Sequence, residues 1–295
     1  MIETLATPLA VLLRIFSNPL GNVFQKQLTT KNNHPLLINF LTYLVLCIVS
    51  IFLVFNVNWT KLPAQFWWYS LLGGMVGALG NGFLVKALQK GDLSVLGPIN
   101  SYKSVVGIIV GIFLLREMPN LWGIAGVGLI VWGSYFVLDT TEDRFSWALL
   151  KRPGIQYRVW AMVLTAVEAV FIKKIILASS TNIAFISWCW FGTLFSFLFL
   201  LLYKVNLKSE MKKIIPAHIS KYVYLVICVG TMQFTTTYAF KHMPVGYALA
   251  LFQLSIIISV LLGHHVFKEK DLRKKLAGSA IMIVGSVLII IFNWR

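Results

Sequence analysis

Acidic residues are scarce in this chain, 10 Asp and Glu against 26 Lys and Arg, and all four charged types make up only 12% of it. Soluble domains carry roughly 25%. So few charges cannot wet the surface of a protein that is 58% hydrophobic, and a soluble globular fold is excluded. Cysteine is nearly absent as well. Cys47, Cys189 and Cys228 lie far apart, each inside an apolar run, which excludes a disulfide framework or a metal-ligand spacing and marks them as small buried hydrophobes. There is no P-loop, nucleophile elbow or zinc-protease motif, so neither ATP hydrolysis nor any other enzyme activity is expected, and no cofactor is implied. Long polar stretches are missing too. The largest, Asp139–Gln156 and Lys204–Lys221, are too short to be domains.

What fills the chain instead is ten apolar segments, each long enough to cross a bilayer as a helix. The expected spans are Leu5–Gln27, Pro35–Phe55, Gln65–Leu88, Ser94–Leu115 and Pro119–Leu138, then Tyr157–Ala178, Asn182–Lys204, Ile219–Phe240, Pro244–Phe267 and Leu272–Phe292. Pro35, Pro119 and Pro244 stand at helix starts, where a missing N–H costs little. Trp59, Trp67, Trp68, Trp147 and Trp294 crowd span edges, as an interfacial belt requires. The N-terminus carries Glu3 rather than a basic leader, and Arg14 interrupts its apolar stretch, so it reads as a retained first helix and not as a signal peptide. The formal charge of +16 would point to nucleic acid in a soluble protein. Here it marks loops lying against anionic lipid, and nucleic acid is set aside as a partner.

The last two segments of each half are copies of each other. Moving Ala87–Leu138 forward by 152 positions lays it on Ala239–Ile290 without a gap. Gly111 then meets Gly263, Glu117 meets Glu269, Gly126 meets Gly278, Gly133 meets Gly285 and Ser134 meets Ser286; Arg116 meets Lys268, which keeps the charge. Val23, Phe24, Gln25 and Lys26 also echo Val170, Phe171, Ile172 and Lys173, at another offset. Five helices per half is an odd number, so the second half enters from the opposite side and the repeats are inverted, as in secondary carriers. The expected organisation is residues 1–138 and 157–295 as five-helix repeats joined by a loop at 139–156. The fold class is all-α, integral to the membrane, with ten transmembrane helices.

The paired pattern has a specific form. Ala87 and Leu88, a turn at Lys90, Gly91 and Asp92, then Ser94 and Pro98 lead into a helix ending at Arg116 and Glu117; a helix with Gly123, Gly126, Gly128 and Gly133 follows. The second copy runs through Ala239, Pro244, Ala248, Glu269, Gly278 and Gly285, and departs from the first at Lys241, His242 and Met243. This resembles the EamA repeat of the drug/metabolite transporter superfamily over the whole chain. The resemblance implies a ten-helix carrier that alternates access across the cytoplasmic membrane, often an exporter of amino acids or related metabolites.

Three charges sit where charges are expensive, Arg14 in the first span, Lys103 near the centre of the fourth and Glu168 near the centre of the sixth. Each would cost on the order of 2.5–3.5 kcal/mol facing lipid, so all three should face the bundle interior. One reading is a buried ion pair of Glu168 with Arg14 or Lys103 that locks the halves together. The other is a substrate path with net charge +1, suited to a small carboxylate-bearing solute. Glu168 is then the candidate for coupling protons, since burial and a nearby cation act on it in opposite directions. The neutral candidates for binding are Asn81, Asn100, Ser101 and Tyr102 in the first half and Gln233, Tyr238 and Gln253 in the second, with Thr235 beside them and Trp188 and Trp190 as cavity walls. Interhelical hydrogen bonding is the competing role. Gly73, Gly74, Gly77, Gly80 and Gly82 along the third span, with Gly107 and Gly111 in the fourth, read as close helix packing. Glu117 and Glu269 read as structural, closing turns with Arg116 or with Lys268 and Lys270. His264 and His265 lack further ligands at metal spacing.

The leading function is a secondary active transporter of a small organic solute, with membrane lipid as its surroundings. A sugar or nucleotide-sugar carrier and a non-transport membrane protein are the alternatives. With both termini in the cytoplasm, six basic residues would face that side and eighteen the other. Basic loops belong inside, so the count places the termini outside, whereas the resemblance leads one to expect them inside.

Overall fold

The computed structural model describes residues 2–30, 33–55, 57–103, 105–106, 120–140, 151–214, 218–243 and 245–292. Gly107, Gly111, Arg116, Glu117, Pro119, Trp147, Pro244 and Trp294, named above, lie outside them. The described chain is helical: α1 (Ile2–Thr29), α2 (Pro35–Ser50), α3 (Ala64–Lys90), α4 (Leu93–Ile99), α5 (Leu121–Leu138), α6 (Pro153–Ala178), α7 (Thr181–Leu202), α8 (Ile219–His242), α9 (Val245–Phe252), α10 (Ser255–Phe267) and α11 (Leu272–Phe292). Sequence signals set several of the ends. Pro35 opens α2 behind His34, whose ring nitrogen accepts the Leu36 N–H. Asn120 caps α5 and Ser180 caps α7 through their side-chain oxygens, the usual remedy for unpaired first-turn donors. Gly91 ends α3 in an extended conformation.

The repeats interlock rather than stand side by side. Helix α3 packs along α6, and α1 along α8. Exchanging the repeats turns α1 into α6 and α3 into α8, so one contact is the image of the other. Two further contacts between the repeats, α5 with α11 and α2 with α7, map onto themselves, whereas α3 with α7 is more extensive than its image, α8 with α2. This pairing is what a pseudo-two-fold axis between inverted repeats produces. Helix α2 with its 3₁₀ extension to Leu53, together with α3, α5, α7 and α8, is long and apolar enough to span a membrane.

The α5–α11 contact explains the matched glycines. A Cβ on Gly278 would stand 2.5 Å from the Gly133 carbonyl oxygen, and one on Gly285 would stand 2.6 Å from that of Gly126. The two backbones touch where lipid supplies no hydrophobic drive for association, so close packing has to hold them. Gly278→Ala is expected to cost about 1–3 kcal/mol, as overpacking does, and to lower the melting temperature of detergent-purified protein by several degrees. An unchanged melting curve would count against this seam as a source of stability.

Both copies of the fourth span are broken, at matching places. Helix α4 stops at Ile99, residues 100–101 form a turn, and helical backbone resumes at 102–103. Helix α9 stops at Phe252, 253–254 form a turn, and α10 begins at Ser255. At each break the bonds tighten to the three-residue pattern, Asn100 N–H to Gly97 O at 3.0 Å and Leu254 N–H to Leu251 O at 3.1 Å. Pro98, lacking an N–H, weakens the helix ahead of the first break; the second copy carries Ala250 in its place and breaks all the same. The expected continuous spans Ser94–Leu115 and Pro244–Phe267 are therefore corrected at their centres. Helix α6 also starts a turn earlier than expected, at Pro153, which carries Arg158 into the bundle.

Candidate functional site

The breaks face a charge cluster in which Glu168 is buried and Arg14 and Lys103 are half-buried. Glu168 on α6 is only 7% exposed. Its Oε1 accepts the indole N–H of Trp188 on α7 at 2.7 Å, and its carboxylate presses on α3 at Gly77, where any Cβ would collide with it. The glycine thus serves the carboxylate as well as helix packing. Arg14 on α1 donates from Nε to Thr236 Oγ1 on α8 at 2.8 Å and lies over the Phe252 ring, 4.8 Å from its centroid, at the second break. Its Nη1 is buried without a hydrogen-bond partner among the described residues. Lys103, just past the first break, lies within electrostatic reach of Arg158, Arg14 and Glu168. Among the described residues no ion pair within 4.0 Å joins Glu168 to Arg14 or Lys103. The cluster is a set of spaced charges rather than a closed pair.

Arg158 was not among the residues singled out from sequence. It is buried, and its Nε donates to the Leu96 carbonyl at 2.7 Å. That carbonyl is left over at the first break, because the Asn100 N–H turns to Gly97 instead. The signal for Arg158 lay in Pro153, which starts the helix early.

The neutral candidates divide. Asn81 donates to the Tyr43 hydroxyl at 2.7 Å, and the Tyr43 and Trp188 rings meet at 4.5 Å, so these three run in a chain to Glu168. Gln253 at the second break and Gln233 one turn before Thr236 are both buried, each with an amide atom that has no hydrogen-bond partner among the described residues. Asn100 forms the first break. Ser101 and Tyr102 sit toward α5 and α11: the Tyr102 hydroxyl pairs with Ser134 Oγ at 2.7 Å, and Ser286 donates to the Ser101 carbonyl at 3.5 Å. Tyr238 stacks on His242 at the end of α8, with 4.2 Å between centroids. Trp190 is 36% exposed, bonds Ser50 and stacks on Trp59; it belongs to another face from Trp188. Thr235 returns its hydroxyl to its own helix.

Beside the Tyr43–Trp188 pair lies a cavity of about 40 Å³ between α1, α2, α3, α7 and α8, room for a few waters. Ser17, Asn18, Asn22 and Gln25 of α1 line it, opposite Asn39 and Asn81. The sequence reading passed over all of these but Asn81.

Glu269 lies elsewhere, in the turn between α10 and α11, and its role needs correcting. It does not close a turn with Lys268 or Lys270. Its carboxylate accepts Lys26 Nζ at 3.0 Å and the Leu93 and Ser94 N–H groups at 2.8 and 2.9 Å, with the Ser94 hydroxyl as a further donor. Lys275 holds that hydroxyl from the other side at 2.8 Å. The carboxylate therefore caps the start of α4 and ties the end of α1 to the second repeat. Burial pushes the Glu269 carboxyl up, but the Lys26 charge and the Ser94 hydrogen bonds outweigh it and hold the group below the usual carboxylate range. His264 contacts the Glu269 carbonyl through Nδ1 at 2.7 Å.

Comparison with known proteins agrees with this architecture. An uncharacterized transporter in cobO 3'region from Sinorhizobium sp is 29% identical over 98 residues, 32% of this chain and 68% of the relative. A solved crystal structure aligns over 97% of this chain and 96% of its own length with a TM-score of 0.67 at 18% identity, which shows a shared fold. The model of the EamA-like transporter family matches twice, at residues 7–139 and 152–291, one match per repeat. The chain is a multi-pass membrane transporter of the drug/metabolite type and belongs to the EamA-like transporter family.

Proposed function

We propose that this transporter is a secondary carrier that moves a small, carboxylate-bearing, amino-acid-like solute across the cytoplasmic membrane by alternating access, in the export direction. The observation that carries this reading is the pair of matching helix breaks beside Arg14, Lys103 and Glu168. Discontinuous helices in corresponding positions of inverted repeats are where carriers hold cargo near the midplane. Arg14, with an unpartnered N–H, and Lys103 would face the carboxylate of the solute. Glu168, with no cation in contact among the described residues, would face its amine or exchange a proton. Gln253 and Gln233 stand ready as hydrogen-bonding groups at the second break. The two five-helix repeats would rock against each other.

Proteoliposomes holding purified protein, tested with labelled amino acids, organic acids and sugars, would examine this. Accumulation of an amino-acid-like carboxylate, faster with an imposed proton gradient, is expected. Accumulation of no solute would remove the carrier reading. Accumulation of sugars alone would favour a sugar carrier instead, a reading that draws on the amide-lined cavity.

A further inference from the structure

We infer that the cavity between α1, α2, α3, α7 and α8 is a cargo subsite for a neutral hydrogen-bonding group, a hydroxyl or carboxamide, at the end of the solute away from its charges. The inference rests on the carrier reading above and adds what the cargo must look like. On α1, Ser17, Asn18, Asn22 and Gln25 fall along one stripe at helical spacing. A stripe of amides on a membrane helix needs partners, because lipid offers none. Here the partners are incomplete. Ser17 is 8% exposed and Gln25 is 6% exposed, yet Ser17 Oγ and Gln25 Oε1 have no hydrogen-bond partner among the described residues. Asn39 across the cavity donates to the Ala78 carbonyl at 3.2 Å, which leaves its side-chain oxygen for another donor.

The chemistry of the lining selects the ligand. Among the described residues no charged side chain lines the cavity, so an ionised group would lose water there and gain no counter-charge from them. An amide both donates and accepts, and several converging on one small space suit a hydroxyl or a carboxamide. Tyr43 and Trp188 supply flat walls for the carbon chain. Trp188 also fixes the register, since its indole N–H holds Glu168 while its ring faces the cavity. A solute with its carboxylate at Arg14 and Lys103 would thus point its other end into the amides. Polar cargo such as a hydroxylated or amide-bearing amino acid fits, and aliphatic or aromatic cargo does not.

The test places a single thiol in the cavity. Asn22→Cys, in a chain with Cys47, Cys189 and Cys228 changed to serine, is alkylated with N-ethylmaleimide in proteoliposomes. Glutamine and serine, or gluconate, should slow alkylation at least fivefold, while leucine and phenylalanine should not. Asn22→Leu with Gln25→Leu should reverse the order of preference in competition for the unmodified site. Equal protection by leucine and glutamine, or protection by neither, would overturn the subsite. So would a thiol that resists alkylation with no solute present, since the cavity would then be closed to cargo. Protection without accumulation in vesicles would uphold the subsite and refute the carrier. Asn18→Cys serves the same purpose if the first variant does not fold.

Discussion

Vesicles carrying Glu168→Gln are expected to move cargo at least a hundredfold more slowly than those with the native chain, while the protein inserts and folds normally. Glutamine keeps the shape of the side chain. It can still accept the Trp188 indole N–H, which now holds Oε1 at 2.7 Å, and it still fits over Gly77. Only the charge and the exchangeable proton are lost. A hundredfold is about 2.7 kcal/mol, within the range for removing one member of a buried charged set, roughly 2–5 kcal/mol. Lys103→Gln should have a similar effect. The double variant separates the two roles that buried charges can play. If Glu168 and Lys103 merely balanced each other, neutralising both would restore much of the rate. If they hold cargo or a proton, the double variant stays inactive. The structure favours the second outcome, because no ion pair within 4.0 Å joins them among the described residues. Restored transport in the double variant would return the cluster to a structural role.

Much of this arrangement was legible before any coordinates. The matched Gly and Glu positions revealed the repeats because both copies must solve the same packing problem: Gly133 and Gly278 let α5 and α11 touch, and no other residue would. Arg14 and Glu168 stood out because a charge in mid-span must be buried with purpose. The amides of α1 did not stand out, although their spacing was plain, because a neutral amide is far cheaper to insert than a charge and carries no alarm. Arg158 was passed over because it stands at the edge of the expected span Tyr157–Ala178, where a charge costs little; the helix begins a turn earlier, at Pro153. Its partner, the Leu96 carbonyl, exists only because the helix breaks after it. The breaks were half legible. Pro98 hints at the first, but the second carries Ala250 in its place, and nothing in its sequence marks the break. The partners of Glu269 were beyond reach, since Lys26 and Ser94 lie 243 and 175 residues away along the chain.

That network gives the second large effect. Glu269→Gln is expected to lower the melting temperature by roughly 10 °C. Breaking a buried pair by removing one partner costs about 3–5 kcal/mol, and each kcal/mol shifts a chain of this size by about 2–4 °C. The side chains of Lys26 and Glu269 are 10% and 5% exposed, so the lysine left behind has little water to turn to and keeps the exposed Asp92, 3.7 Å away, as a weaker counter-charge. The carboxylate also caps α4 through the Leu93 and Ser94 N–H groups; glutamine can keep one such bond but not the set. The same cluster joins the end of α1, the start of α4 and the turn before α11, so it closes one face of the bundle. A thiol introduced at Leu93, buried in the native chain, should therefore react faster with maleimide in Glu269→Gln. Acid should mimic the substitution. Because the Glu269 carboxyl is held below its ordinary range, its stabilising effect is fully present above the ordinary carboxylate value and fades as pH falls through the lowered one. At neutral pH the network is complete, and only strong acid should loosen it. A double change, Lys26→Met with Glu269→Met, should recover part of the lost stability by removing the stranded charge. An unaltered melting temperature and unaltered labelling in Glu269→Gln would mean that this face is closed by apolar packing around Leu93 and Leu96 alone, and that the four polar groups only decorate it.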